Sequence, residues 1–522
     1  MARPVGEIIE GLLEDAETAL AAGTTHKALA LYQGILLHDP NHVLALRQAG
    51  AIMFNQQMPD QALELFQRAV RLAPADPDLY HGVGTALRLI GQTDEAMLAL
   101  QGALRADPTH KPALYDLGLL HRQKGNYDQA EQLFRQVAAQ TGGADRFEAE
   151  LQRAIALYRQ DRLPEAERWF HRAGLLNPQD PRAFINVALI YRTWGHLDAA
   201  EKWLTKAIEV APDNAEAHWN FANLLLLKGD LKQGFAEYEW RFRRAGRGER
   251  TMPMPRWSGQ PLVGKSLLLA AEQGMGDIIH FARFAQDFQA LGARVILECH
   301  PGLERLMVSV PGVAEVVVLG SPLPAADFYL PIMSASHALG TTLESIPASP
   351  RYLAVPPLAK KISLAGTDLR VGLVWRGNPM HENDQFRSIA LSVLTPVLGV
   401  PGVSFSSLQV GPGREEIANL PAGTAISDLG PQLTDFAITG SVVEQLDLVI
   451  TVDTAVAHLA GAVGKPVWLL VARGNDWRWL HGRQDSPWYP SLRIFRQGPP
   501  RDWTPPVRQI ELALRQLAAG RG

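Results

Sequence analysis

This chain has a single cysteine, no long apolar runs and no large excess of either charge. Its 522 residues include one cysteine, Cys299, which excludes an internal disulfide framework and fits a reducing compartment. A formal net charge of −4 favours neither nucleic acid nor an anionic membrane as a partner. The apolar runs at 224–227 and 467–472 are too short to span a membrane, and 1–20 lacks the apolar core of a signal peptide. We expect a cytoplasmic protein of two or three domains.

Proline recurs at a fixed interval in the N-terminal part of the chain. Pro40, Pro74 and Pro108 are evenly spaced, and after a longer step Pro178 and Pro212 are separated by the same interval. Alanines follow this interval as well: Ala28, Ala62, Ala96, Ala130, Ala166 and Ala200. A helix-turn-helix unit of about 34 residues with an alanine in the second helix and a terminal proline is the tetratricopeptide repeat (TPR) signature. The sequence therefore predicts an all-α solenoid whose concave surface binds another protein.

About seven repeats are predicted over residues 9–245. A small residue at the eighth position of each first helix would let the paired helices approach: Ala16, Gly50, Gly84, Gly118, Ala154, Ala188 and Ala222. The second helices supply large apolar residues: Tyr32, Phe66, Leu100, Phe134, Phe170 and Leu204. Between Thr141 and Asp145 the proline is missing and two residues are added, which predicts a local kink.

Two asparagines occupy the same position of neighbouring first helices. Asn186 and Asn220 are one repeat length apart and are expected on the concave face, where an amide can donate to and accept from one peptide unit. We predict that they bind the acceptor protein. Polar residues on a solvated face explain the same pattern equally well, and that alternative stays open.

The seventh repeat departs from the pattern and leads into a connector over residues 246–262. Gly234 replaces the alanine, the segment 234–241 is rich in aromatics, and prolines follow the basic run 243–250. We expect the last helix to dock on the next domain. A repeat that only covers its own apolar face would account for most of these aromatics as well.

From Lys265 onward short apolar strands alternate with helices, which is typical of a parallel sheet covered on both faces. Two such sets are predicted, at 263–357 and 366–505, followed by a C-terminal helix at 506–522. The predicted strands are 266–271, 294–298, 316–319 and 327–330, then 370–375, 403–408, 448–452 and 466–471. Two Rossmann-like lobes of this kind form a cleft at the carboxyl ends of their strands, where ligands bind.

Three motifs follow strands in this part of the chain. Gly274-Met-Gly276-Asp277 offers close backbone approach and free N–H groups, although Asp277 alone could be a helix cap. The loop 375–388 carries arginines, whose guanidinium groups are suited to binding phosphate. The alternative is that it is an ordinary surface loop. Asp453-Thr-Ala-Val-Ala-His458 begins a helix whose N–H groups would face a phosphate, although a lone histidine such as His458 is more often a core residue.

Together these motifs resemble the heptosyltransferase-like GT-B glycosyltransferases, over roughly residues 255–500. The resemblance implies that Asp277 is the catalytic base and that the segment 453–458 holds the donor's phosphates, with Ala455 where the family has glycine. The donor-binding residues implied or predicted are Gly274, Gly276, Arg376, His381, Asn383, Arg387, Gln409, Asp453, Thr454, Ala455, Val456 and His458. The fusion to TPRs resembles protein O-GlcNAc transferase and bacterial flagellin glycosyltransferases in architecture.

The resulting expectation is an inverting glycosyltransferase. It would move a sugar from a nucleotide-sugar to Ser or Thr hydroxyls of a protein held by the repeats, with flagellin one candidate acceptor. No metal ion or further cofactor is expected, and no nucleic acid partner. Two alternatives stay open: a TPR scaffold with an inactive or merely nucleotide-binding GT-B domain, and a glycosyltransferase acting on lipid or polysaccharide.

Overall fold

The computed structural model describes residues 4–358, 362–364, 368–381, 384–474, 476–498 and 502–520. By its packing the chain divides into two compact units, Met1–Ile190 and Tyr191–Gly522. The division falls inside a helix of the sixth repeat, well before the predicted end of the solenoid at residue 245. The last helices of the repeat array therefore belong to the same compact unit as the α/β region.

Helices alone make up the first part of the described chain. They are α1 (Val5–Ala21), α2 (Thr25–His38), α3 (Val43–Asn55), α4 (Pro59–Leu72), α5 (Pro77–Ile90), α6 (Thr93–Ala106), α7 (Lys111–Gln123), α8 (Tyr127–Gln140), α9 (Gly143–Arg159), α10 (Leu163–Leu176), α11 (Pro181–Trp194), α12 (Leu197–Val210), α13 (Ala215–Lys228) and α14 (Leu231–Tyr238). They form seven helix pairs, which confirms the predicted solenoid. Helices α2 and α6 end directly before Asp-Pro pairs, because a residue that precedes proline avoids the helical conformation.

The predicted contacts between paired helices are present. A Cβ built on Gly50 would lie 3.0 Å from the Phe66 ring, and one on Gly118 would lie 2.9 Å from Phe134. On Gly84 the same atom would come within 2.7 Å of Leu100. In these three repeats the glycine of the first helix therefore makes room for the large apolar residue of the second.

The two additional residues after the fourth repeat lengthen a helix. The connection between α8 and α9 is Thr141–Gly142, and α9 runs for 17 residues where α3 and α7 have 13. The predicted irregularity is thus a short connection followed by an extended first helix, because the chain begins the next helix early.

Two parallel sheets follow the helices. The first contains β1 (Ser266–Ala270), β2 (Arg294–Cys299), β3 (Val313–Val318) and β4 (Phe328–Pro331) in the order β3-β2-β1-β4. The second contains β5 (Leu369–Val374), β6 (Val403–Ser407), β7 (Ser427–Asp428), β8 (Leu448–Val452), β9 (Val467–Val471) and β10 (Leu492–Arg496) in the order β10-β9-β8-β5-β6-β7. Every strand pairing is parallel, as the strand-helix alternation predicts. The sequence missed β7, which has two residues, and β10, where arginines interrupt the apolar run.

Short helices cover these sheets. They are α15 (Met275–Phe281), α16 (Ala285–Ala290), α17 (Glu304–Met307), α18 (Ala335–Ala338), α19 (Asp384–Arg387), α20 (Thr395–Leu398), α21 (Phe436–Gln445), α22 (Ala455–Ala462) and α23 (Thr504–Ala519). The helical segment between β1 and β2 is divided into α15 and α16 by a 3-10 turn at Ala282–Phe284. No helix in the described part of the chain is long and apolar enough to cross a membrane.

The connector lies along an edge of the first sheet. Trp257 N donates to Tyr329 O at 2.8 Å, and Tyr329 N donates to Pro255 O at 3.1 Å, so the connector pairs with β4 as a parallel bridge. Arg250 also forms an ion pair of 2.5 Å with Glu298 on β2. The predicted extended connector is therefore anchored at two strands.

We predict opposite effects for two glycine-to-alanine changes in the repeats. Gly84→Ala should cost about 1–3 kcal/mol, because the new methyl group collides with Leu100. Gly11→Ala, on the exposed side of α1 with no neighbour within 4 Å, should instead raise the free energy of unfolding by about 0.5–1 kcal/mol through helix propensity. Urea unfolding followed by circular dichroism measures both. A stabilised Gly84→Ala would contradict the packing described here.

Candidate functional site

Two of the motifs meet where a strand of each sheet ends. The segment Gly274–Asp277 follows β1 and begins α15, and Asp453–His458 follows β8 and begins α22. A Cβ built on Gly276 would lie 2.9 Å from His458 Cδ2 and 3.3 Å from Ala455 Cα. We call these two segments together the motif junction. Gly276 is required there for close packing of α15 against α22, whereas Gly274 is exposed and has space around it.

Asp277 is engaged on both carboxylate oxygens. Its Oδ2 accepts from Gly274 N at 2.9 Å, which caps α15, and its Oδ1 forms an ion pair of 2.5 Å with Arg478 Nη2. The cap alternative for Asp277 is therefore present in the structure, together with a cation that the sequence did not single out. Its role as the catalytic base stays a prediction.

Arg478 is the principal residue that sequence reasoning missed. Its side chain is about 6% exposed, and its Nη1 donates to the Asp476 carboxylate at 2.9 Å. Burial alone would lower the pKa of Arg478, but the carboxylates of Asp476 and Asp277 outweigh burial and raise it. Within the described residues its Nε has no hydrogen-bond partner. The available signal is an arginine between two tryptophans, Trp477 and Trp479, in the loop that follows β9.

Asp453 lies beside Asp476 and Arg478, and its pKa is raised. Burial raises the pKa of Asp453, the Asp476 carboxylate raises it further, and Arg387 opposes both. Arg387 Nη1 donates to Asp453 O at 3.0 Å and its Nε to Asp384 at 3.2 Å. Arg387 is thus the arginine of the 375–388 loop that reaches the motif junction.

Other predicted residues of that loop are engaged or placed elsewhere. Arg376 forms an ion pair with Glu416, and His381 is exposed. Asn383 lies outside the described residues. For Arg376, His381 and Asn383 donor binding stays a prediction.

Gln409 forms hydrogen bonds with the backbone at the start of the 375–388 loop. Its Oε1 accepts from Arg376 N at 3.0 Å and from Trp375 N at 3.3 Å, and its Nε2 donates to Pro412 O at 3.0 Å. The side chain is 3% exposed. These hydrogen bonds hold the backbone where β5 ends. A contact of Gln409 with nucleotide stays a prediction.

A tyrosine hydroxyl joins two histidines at the back of the junction. Tyr489 OH lies 2.9 Å from His458 Nδ1 and 3.1 Å from His280 Nδ1. Burial, followed by the charge of Arg478, lowers the pKa of His458 to about 3. His458 is therefore a neutral, hydrogen-bonded core residue, and any contribution to donor binding must come without a positive charge.

The first turn of α22 supplies the remaining donor-binding candidates. Thr454 precedes the helix and its Oγ1 lies 3.1 Å from Thr451 Oγ1. Ala455 and Val456 are half-buried at the helix start. Their backbone N–H groups have the orientation that favours an anion.

The two predicted acceptor-binding asparagines each use an amide N–H locally. Asn186 donates to Arg182 O and Asn220 donates to Glu216 O, both at 2.8 Å within their own helices. Asn186 is half-buried and Asn220 is 5% exposed. Peptide binding by these residues stays a prediction.

Family models described as tetratricopeptide repeat match residues 19–87, 90–151 and 181–214. These matches confirm the repeats and support protein–protein interaction as their role. The matched segments lie within the helical part of the chain.

Among curated proteins, the chain is similar to protein FlbA of Caulobacter vibrioides. The two are 27% identical, over 95% of this chain and 82% of the relative. The probable UDP-N-acetylglucosamine–peptide N-acetylglucosaminyltransferase SPINDLY of Petunia hybrida is 32% identical over 18% of this chain and 10% of its own length. Human protein O-mannosyl-transferase TMTC1 is 24% identical over 36% of this chain and 22% of its own. The chain thus spans only a small part of the two named transferases.

Among solved structures, a tetratricopeptide repeat protein from Parabacteroides merdae is 21% identical. The match covers 45% of this chain and 91% of that one, with a TM-score of 0.38.

We predict that Gly276→Ala is much more damaging than Gly274→Ala. The Gly276 methyl group would collide with His458 and the start of α22, at a cost of about 1–3 kcal/mol. A methyl group on Gly274 would meet only Asp277 Oδ2, at 3.4 Å, so Gly274→Ala should cost less than about 1 kcal/mol. Chemical unfolding of both variants measures the difference. Equal losses would argue against close packing of α15 on α22.

We predict that His458 makes stability fall as the pH is lowered. The folded-state pKa of about 3 lies below the ordinary value of 6.5, so the unfolded chain binds a proton first. The stabilising contribution is complete above pH 6.5 and is lost as the pH falls toward 3. It should be worth on the order of 2 kcal/mol between pH 7 and pH 5.

The measurement compares urea unfolding of wild type and His458→Gln at both pH values. The comparison is needed because the raised pKa of Asp453 acts in the opposite direction over part of this range. The variant should lose less stability on acidification than wild type. Parallel pH profiles would contradict the assignment of a neutral His458.

Proposed function

We propose that this chain is a glycosyltransferase of the GT-B type. It moves a sugar from a nucleotide-sugar to Ser or Thr hydroxyls of a protein bound by the repeats, without a metal ion and with inversion. The observation that carries the proposal is the motif junction, where the segments after β1 and β8 meet with Asp277 against Arg478. Ligands of open α/β sheets bind at the carboxyl ends of such strands.

The diphosphate of the donor would bind at the start of α22. The N–H groups of Ala455 and Val456, the Thr454 hydroxyl and Arg387 supply hydrogen-bond donors there. Arg478 adds the positive charge of a second guanidinium next to Asp277 and Asp476. These groups support binding of an anion despite the neighbouring carboxylates of Asp453 and Asp476.

In the proposed reaction the acceptor hydroxyl oxygen attacks the anomeric carbon of the sugar. The bond from that carbon to the phosphate oxygen breaks, and the nucleoside diphosphate leaves with the bonding electrons. The hydroxyl proton passes to the Asp277 carboxylate, as in ordinary general-base catalysis. Arg478, which contacts Asp277, would stabilise the charge that develops on the departing phosphate.

The acceptor is proposed to be a protein because the repeats form a peptide-binding type of solenoid. Flagellin is one candidate, and the reaction would take place in the cytoplasm. The names of SPINDLY and TMTC1 describe sugar transfer to peptide and O-mannosyl transfer. Their similarity to this chain is partial, so it supports the combination of repeats with sugar transfer in general terms.

A non-catalytic scaffold is the second candidate. The observation in its favour is that both oxygens of Asp277 are occupied, one by a helix cap and one by Arg478. Asp277 would then serve to hold the junction together, and the junction could bind nucleotide without turnover.

We predict that Asp277→Asn lowers sugar transfer by about 10²–10⁴-fold while donor binding persists. The matched control is Asp327→Asn, because Asp327 binds Ser266 N at the amino end of the same sheet. Intact-mass analysis of proteins co-expressed with each variant reports transfer, and calorimetry with UDP- and GDP-sugars reports binding.

The outcomes separate the candidates. Transfer by wild type and the control, but not by Asp277→Asn, supports the glycosyltransferase. Equal transfer by all three would remove Asp277 from the mechanism. Donor binding without any transfer by wild type would favour the scaffold.

A further inference from the structure

We propose that the seventh repeat is a working part of the motif junction, with Tyr238 and Arg241 as positioning residues for Asp277. Tyr238 ends α14, and Arg241 lies in the 3-10 turn Glu239–Arg243 that follows it. Both contact the loop Glu272–Gly274, which joins β1 to α15 and delivers Asp277. The structural part of this inference stands alone, and its catalytic consequence rests on the proposed function.

Arg241 holds the first residue of that loop. Its Nε and Nη2 donate to the two carboxylate oxygens of Glu272 at 3.1 and 3.0 Å, and Nη2 also donates to Ser334 Oγ at 2.7 Å. Arg241 is 5% exposed, so its charge is compensated inside the protein by Glu272 and Glu239. A planar guanidinium that grips a carboxylate in this fashion fixes direction as well as distance.

Tyr238 holds the second residue. Gln273 has φ of +54°, a conformation that side-chain-bearing residues adopt uncommonly, and its Nε2 donates to Tyr238 OH at 3.2 Å. His300 Nε2 lies 2.6 Å from the carbonyl oxygen of Gln273. Strained backbone persists where surrounding contacts determine it, and here one of those contacts comes from the repeat.

The same helix also contacts the other partner of Asp277. The Phe235 and Tyr238 rings lie 5.3 and 6.5 Å from the Trp477 ring, and Trp477 stacks under the guanidinium of Arg478 at 4.3 Å. Phe235 further contacts Phe281 of α15, with ring centroids 6.3 Å apart. Helix α14 therefore touches both sides of the Asp277–Arg478 pair, one from each sheet.

If α14 sets the position of Asp277 and Arg478, the array is more than an arm that delivers an acceptor. The chemistry of the junction then depends on the seventh repeat, even for donor hydrolysis in which no acceptor protein takes part.

The test uses the full chain with Arg241→Lys and Tyr238→Phe. The first variant keeps the charge but loses the two-point grip on Glu272, and the second removes one hydroxyl and keeps the ring packing. Arg244→Lys is the matched control, because Arg244 pairs with Glu216 of α13 at 2.7 Å within the repeat itself. The readouts are amide hydrogen exchange of the segment 272–282 and the kcat and KM of nucleotide-sugar hydrolysis or transfer.

We expect exchange in 272–282 to rise at least about tenfold in Arg241→Lys and Tyr238→Phe, with the rest of the chain unchanged. We also expect kcat to fall about ten- to a hundredfold with little change in the donor KM, because a misplaced base impairs the chemical step. The control should match wild type in both measurements.

Unchanged exchange in both variants would overturn the inference, as would a uniform rise over the whole chain, which indicates only lost stability. Tyr238→Phe keeps the test decisive if Arg241→Lys folds poorly. A local rise in exchange in a chain whose wild type transfers no sugar would support the structural inference and refute the proposed function.

Discussion

A buried guanidinium requires carboxylates around it, and Arg478 draws its carboxylates from both sheets. Asp277 follows a strand of the first sheet, and Asp476 follows a strand of the second. Removing Arg478 would leave Asp277 and Asp476 without the cation that they share, in a poorly solvated place, which costs several kcal/mol. After burial, the charge of Arg478 is the next largest cause of the lowered pKa of His458, and it also opposes the rise in the pKa of Asp453. The ion pair therefore ties the sheets together at the place where the two motifs meet.

Periodic features of the chain were predictable, and features that depend on tertiary contact were not. The repeat period placed Gly84 opposite Leu100, because an interval that recurs through seven units leaves little freedom. Continuous apolar runs likewise predicted the central strands β1, β5 and β8. Strand β10 escaped because Arg493 and Arg496 interrupt its pattern, although Ile494 and Phe495 are buried.

The two motifs of the candidate site were predictable from the sequence, but their contact with each other was not. Gly276 and His458 each belonged to a recognisable motif, but nothing in a linear chain says that one touches the other. Arg478 and Tyr489 escaped because an isolated arginine or tyrosine has no periodic signature. Gln409 lies at the end of a strand, as predicted, but its side-chain amide forms hydrogen bonds with backbone groups of Arg376 and Pro412. The spacing of residues in the sequence does not predict such contacts.

The connector that pairs with β4 also covers an edge of the first sheet. An exposed parallel edge presents unpaired N–H and C=O groups to any passing strand. Pro255 and Trp257 occupy these groups at Tyr329. The link between solenoid and sheet therefore also covers part of the β4 edge, and a chain that lost it would leave the backbone groups of Tyr329 unpaired.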